Sequence, residues 1–273
     1  MNLFKKKLSS VKSNSALVLL SIITGILVSI VAQFFIFFAK NIISYLKDSD
    51  LENTFFYINE INLIPFFSCL LAAFLISIII KISKIERWYG PADTIYASHL
   101  NSEKLDVKKG FLSSAASFVS ISGGASVGLY GPLVHFGGTL GVFIKKFKFI
   151  PNIPHDILIG SGVAAAISAG FSSPIAGIIF AHEVVLRHFS MRAVTAISLA
   201  SVSASLTATE MKLVSPFLKF DYQLFDTTQA IPGLLVIGFF AAIVAVTFMK
   251  SLFFSSKIAQ MTSIKFHLRP YIP

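Results

Sequence analysis

Charge is scarce in this sequence. Only 13% of its 273 residues are Asp, Glu, Lys or Arg, while 55% are hydrophobic. A soluble domain carries about twice that charged fraction, so a water-facing surface is excluded for most of the chain. Lipid is the medium that takes its place. Cysteine is nearly absent too: Cys69 stands alone in an apolar run, which leaves no disulfide and no thiol metal site. No nucleophile–base pair has supporting spacing, so an enzyme is not expected. His182, Glu183 and His188 are close in sequence, but spacing places no third nitrogen or sulfur ligand beside them. Neither a metal nor a cofactor is expected.

What is present is apolar and basic. The chain has 28 Phe and a net charge of +10, with a mean hydropathy of +0.77. The positive charge sits in short segments between apolar runs, which suits cytoplasmic loops and not a nucleic-acid surface. The first run, 16–39, follows Lys5, Lys6, Lys7 and Lys12. It exceeds the roughly 7–15 apolar residues of a signal peptide and has no small-residue cleavage site, so it reads as a retained spanning helix. The second run, 62–82, also has the length of about 20 residues needed to span. The connection between them is acidic (Asp48, Asp50, Glu52, Glu60), whereas Lys81, Lys84, Arg87, Lys104, Lys108 and Lys109 follow the second run. That bias predicts a cytoplasmic N-terminus in a multi-pass protein of the cell membrane.

After residue 82 the pattern changes. Gly-rich, Pro-interrupted pieces cover 111–121, 132–145, 155–169, 174–188 and 191–209. Several hold about 15 residues, or about 22 Å of helix, against a hydrocarbon core of about 30 Å. Helices that stop inside a membrane bury their ends in protein or beside a water-filled cavity, so broken helices point to a transport site near the midplane. Small residues crowd the region at 160–162, 164–166 and 168–170 and let backbones approach closely. A last long run, 232–254, predicts one more span.

The chemistry is concentrated in residues 122–141. Gly128 and Gly131 bracket a turn, and Pro132 fits the first position of a helix, where its missing N–H costs nothing. The free N–H groups of such a first turn carry partial positive charge. Approached by glycines inside a membrane, they form an anion site with no formal charge, weak enough to release what it binds.

These residues resemble the CLC family of chloride channels and transporters. Gly128-Leu129-Tyr130-Gly131-Pro132, followed by Gly137-Gly138, is similar to the family's Gly-Arg-Glu-Gly-Pro motif and its Gly-Gly pair. The segment 162–180, with Phe171-Ser172-Ser173-Pro174, and the acidic residue Glu183 are similar to the family's next elements in order and spacing. The likeness runs over roughly residues 90–190. It implies an all-α integral membrane fold of tilted, discontinuous helices: the first inverted repeat plus the first helix of the second. By that scheme 1–15 is a basic cytoplasmic N-terminus, 16–210 the first repeat, 211–230 a connecting loop, 231–257 the first helix of the second repeat, and 258–273 a truncated end. It further implies an anion pathway along Gly128, Leu129, Tyr130, Gly131, Pro132, Leu133 and Val134, with a second helix start at Tyr89, Gly90 and Pro91. For that second start the alternative is an ordinary Gly-Pro loop.

Two departures matter. The family's gating glutamate is here Tyr130, and the exchangers' second proton-handling glutamate is Val184. A phenol, with a reference pKa of about 10, does not exchange protons readily near neutrality, though its O–H can face an anion. Tyr130 either presents that group to the pathway or packs as a core aromatic. Glu183 reads as a structural intramembrane charge paired with Arg187 or a basic neighbour, and His135 either lines the pathway or packs. The expected function is passive, proton-uncoupled anion movement, with chloride as the transported ion. The alternatives are a non-conducting fragment that needs a second half, and a proton-coupled exchanger with an atypical proton carrier. The expected partners are chloride or a similar anion, the lipid bilayer and, if the fold is completed, a second copy in a homodimer. No nucleic acid is expected.

Overall fold

The computed structural model describes residues 2–48, 57–58, 61–99, 105–125, 127–145, 153–213, 227–261 and 265–271. Helix α1 runs over Asn2–Asp48. It starts well before the expected 16, because nothing between these limits breaks a helix: there is no proline and only Gly25. A two-residue antiparallel pair, Tyr57–Ile58 with Ile61–Asn62, is the only strand structure among the described residues. Helix α2, Ile64–Ser83, opens with Pro65 in its first turn, where no N–H is needed.

Short helices follow, as expected from the interrupted pattern. They are α3 (Pro91–His99), α4 (Val107–Ser122), α5 (Tyr130–Ile144), α6 (His155–Phe171) and α7 (Pro174–Phe180), the last continuing as a π-helical turn over Ala181–Leu186. Helix α8 covers Met191–Met211 and α9 Thr227–Met261. The expected loop 211–230 falls mostly outside the described residues. The chain divides into two compact units, Met1–Phe217 with Pro270–Pro273, and Leu218–Arg269.

In the first unit α6 is the central helix, packed by α5, α8 and α1. Every residue from Ile157 to Ala169 is buried, and a helix with small or apolar residues all round has no other stable place. The small residues permit close crossing. Gly137 and Gly141 of α5 face Gly162 and Leu158 of α6 with only backbone between them. Polar side chains then tie helices together. Ser29 of α1 donates to the Ala204 carbonyl of α8 at 2.8 Å, Gln33 to the Ala169 carbonyl of α6 at 2.9 Å, and Ser168 to the Ser201 carbonyl at 2.6 Å.

The outer faces stay apolar. Leu19, Phe66 and Leu71 are each about 60% exposed, a surface that only lipid or protein can cover. Among the described residues, four helices are long and apolar enough to cross a membrane: Ser15–Tyr45 within α1, then Ile64–Ser83, Met191–Met211 and Ile231–Ile258. Four non-glycine residues adopt left-handed φ, and each sits at a helix C-terminus: Lys84, Ser172, Arg187 and Lys212.

Candidate functional site

Helix α4 ends at Gly123, and Gly124 (φ +100°) reverses the chain toward α5. Helix α5 begins at Tyr130, two residues before the expected Pro132, with Leu129 as its cap residue. Pro132 is therefore the third helical residue. This is permitted because the whole first turn lacks intrahelical acceptors for its N–H groups. The cap residue Leu129 offers no side-chain acceptor to this end, which carries the partial positive charge of a helix start. Gly128 is exposed, and Leu129, Tyr130, Gly131 and Pro132 are half-buried.

Leu133 and Val134 do not belong with them. Both are buried, Leu133 in the cluster around Val28 and Ala165, and Val134 in the cluster around Val163 and Ile167. Their side chains face the core and contribute packing. The start of the helix is one turn long, and these residues lie past it.

Helix α3 begins at Pro91, and the Gly90 carbonyl accepts from the N–H groups of Asp93 and Thr94. The two helix starts approach each other. A Cβ placed on Gly131 would stand 3.8 Å from Cγ of Pro91. One turn further along, Thr94 Oγ1 and His135 Nδ1 share a 2.7 Å hydrogen bond at a buried site, while His135 Nε2 has no hydrogen-bond partner among the described residues. His135 thus packs between α3 and α5.

The α3 start differs from the α5 start in one respect. The N–H of Gly90 donates to Asp93 Oδ2 at 2.8 Å, an acidic side chain reaching back from the first turn to the cap residue. Arg87 binds the other oxygen, Oδ1, at 2.7 Å. That hydrogen bond, then the Asp93 charge, pushes the Arg87 guanidinium above its ordinary value against the opposing effect of partial burial. The Arg87 guanidinium carbon lies 4.3 Å from the Tyr89 ring centre, and the Lys109 ammonium 5.8 Å from it. Tyr89 is anchored by its N–H donating to Ser113 Oγ at 3.2 Å.

Tyr130 stacks on Phe171, with ring centres 4.0 Å apart and planes 26° from parallel, and lies against Gly170. The α5 start is thereby held to the end of α6. Part of the phenol ring has the aromatic packing role that was one of its two expected readings.

The Glu183–Arg187 pair is not formed. Both side chains are exposed, and no ion pair joins them among the described residues. The reason is the π-helical turn: Arg187 follows it in the left-handed region (φ 57°), off the stripe that brings residues four apart together. Val184 is half-buried on that turn. His182 stacks on Phe189 at 4.7 Å, and His188 Nε2 contacts Asp156 at 2.9 Å.

Sequence reasoning missed Asp93, Arg87, Thr94 and Phe171. A signal existed for the first: Gly90-Pro91 followed by an acid at the third helical residue is a helix-start pattern. Phe171 carried none, being 41 residues from Tyr130.

Long apolar helices joined to interrupted ones mark a multi-pass membrane protein. Comparison with known proteins makes this particular. The family model described as voltage gated chloride channel matches residues 68–273. The chain belongs to that family, the CLC proteins. It is similar to a ClcB-like chloride channel protein of Ralstonia nicotianae (26% identity over 121 residues) and to the voltage-gated ClC-type chloride channel ClcB of Yersinia pestis (25% over 118). Each match covers 43% of this chain and 28% of the relative's length. A slow cyanobacterial Cl−/H+ antiporter shares the fold with a TM-score of 0.76 at 16% identity, over 94% of this chain and 61% of that one.

Proposed function

We propose that the chain forms an anion pathway of the CLC type that moves chloride or a similar anion passively, without coupling to protons. The observation that carries this reading is the pair Tyr130 and Val184. They stand where the family resemblance puts its two proton-carrying glutamates, Tyr130 at a helix start whose cap residue, Leu129, offers no side-chain acceptor. A neutral phenol and a valine leave neither usual carrier for protons near neutral pH. Partial charges of the α5 start favour an anion without binding it tightly. On this reading Gly128, Leu129, Tyr130, Gly131 and Pro132 line the passage, the N-terminus is cytoplasmic, and the working unit is a homodimer. The matches span less than two thirds of the relatives' own lengths.

A second reading is proton-coupled anion exchange, favoured by the fold shared with a Cl−/H+ antiporter. Flux into liposomes at several pH values separates the two. Passive transport gives chloride flux with no proton movement, and Tyr130→Glu adds pH dependence. Uphill proton movement driven by a chloride gradient would overturn the passive reading, and an absence of flux would overturn both. Unchanged flux in Tyr130→Ala would remove Tyr130 from the passage.

A further inference from the structure

We propose that the basic end shared by α2 and α4 is a docking surface for anionic phospholipid, which it holds by the lipid phosphate at the edge of the bilayer. The surface is assembled by antiparallel packing. Helix α4 finishes against the first half of α2, where a Cβ on Gly123 would overlap Ala72 and stand 3.1 Å from the Ser68 carbonyl oxygen. The start of α4 therefore lies at the end where α2 finishes. That brings Lys81 and Lys84 of α2 to the same end as Lys108 and Lys109 of α4, and all but the half-buried Lys109 are exposed. The connector after α2 is fastened to α4 by the Tyr89 N–H on Ser113 Oγ at 3.2 Å, and it adds Arg87. Arg87 and Lys109, from different segments, converge on the Tyr89 ring at 4.3 and 5.8 Å.

The acids nearby leave this charge largely available. Asp93 meets Arg87 at 2.7 Å, yet the Arg87 side chain is 62% exposed, and a guanidinium has five N–H donors to share. Asp106 accepts from the backbone N–H groups of Lys108 and Lys109, and the Lys109 ammonium is 3.9 Å from it. Glu86 is exposed on the connector. Five cations thus face three carboxylates, two of them already engaged.

Position selects lipid as the source of the phosphate. The apolar span of α2 ends at Ser83, so the cations stand where hydrocarbon gives way to headgroups. Ile82, 78% exposed, lies between Lys81 and Lys84, and the exposed Leu71 and Phe74 continue the apolar surface along α2. A phospholipid satisfies both features at once, its phosphate on the cations and its chains on the apolar face. A soluble anion would use only the first. Trp88 and Tyr96 are exposed beside the cations, and such aromatic residues favour headgroup depth.

Trp88 is the single tryptophan of the chain, so its fluorescence reports on this surface. The test places the full chain in mixed liposomes of phosphatidylcholine and phosphatidylglycerol, with bromine on the acyl chains of one lipid or the other at equal mole fraction. Quenching of Trp88 by brominated phosphatidylglycerol is expected to exceed that by brominated phosphatidylcholine about twofold or more, and added salt should reduce the preference. Lys84→Gln with Lys108→Gln should bring the ratio close to one, with circular dichroism unchanged. Lys108→Gln alone should lower it part of the way, and decides the matter if the double variant does not fold. Lys257→Gln on α9, which removes one charge elsewhere, should leave the ratio as it is. Equal quenching by the two lipids in the wild type would overturn the proposal, as would a preference that survives loss of these lysines. Abolition of the preference by inorganic phosphate at constant ionic strength would also overturn it, and would mark a site for soluble phosphate instead.

Discussion

Gly137→Ala is the perturbation whose outcome the structure determines most directly. At this position α5 and α6 cross with backbone against backbone. A methyl at 137 would overlap the Gly162 carbonyl oxygen and lie 2.9 Å from its carbon and 3.0 Å from Ala166 Cβ. The obstructing atoms are backbone, so no rotamer change relieves the overlap and the helices must part by about 1 Å. A gap of that size forfeits about a quarter to a half of each dispersion contact across the seam. Overpacking of this kind costs about 3 kcal/mol, and the better helix propensity of alanine returns about 1 kcal/mol. The net loss is about 2 kcal/mol, or an apparent Tm lower by about 4–8 °C for a chain of this length. Thermal melting in detergent, followed by circular dichroism, measures it. Gly238→Ala on α9, where a Cβ meets nothing within 4 Å, is the control and should hold or raise Tm. A Gly137→Ala melt at or above wild type would refute the claim that this crossing sets the helix spacing.

Two further substitutions probe the parts that hold the site. Thr94→Val removes the hydroxyl that shares a hydrogen bond with Nδ1 of the buried His135 and should lower stability by about 1 kcal/mol. Thr94→Ser should recover most of this in the same melt. Asp106→Ala removes the side chain that accepts from the N–H groups of Lys108 and Lys109 at the α4 start. It should cost about 1 kcal/mol, read as earlier unfolding in the same detergent.

The helices were readable because hydropathy reports them: runs of apolar residues mark α1, α2, α8 and α9, and Gly-Pro interruptions mark the short ones. Boundaries were less readable where the backbone tolerates a choice. Pro132 satisfies the first helical turn at its third position as well as at its first, so the α5 start lay two residues earlier than expected. The Glu183–Arg187 pairing assumed ordinary helical spacing, and nothing in Ala181–Leu186 announces a π-helical turn. Leu133 and Val134 followed from motif position alone, whereas their helical angle turns them toward α6 and the core. Contacts between distant segments, such as Thr94 with His135 and Tyr130 with Phe171, depend on how helices cross, and single-sequence periodicity does not encode that.

The left-handed helix ends have a consequence of their own. An L-residue in that conformation gives up about 1–2 kcal/mol. At Lys84, Arg187 and Lys212 a positive side chain sits against the negative pole of the helix it ends, a favourable effect of about 0.3–1 kcal/mol. Charge offsets part of the chirality cost there. Ser172 has no such offset, and it adjoins Phe171, whose ring lies on Tyr130. Uncompensated torsional tension therefore sits beside the stack that fastens α5 to α6, and that joint is where the described backbone gains most by moving.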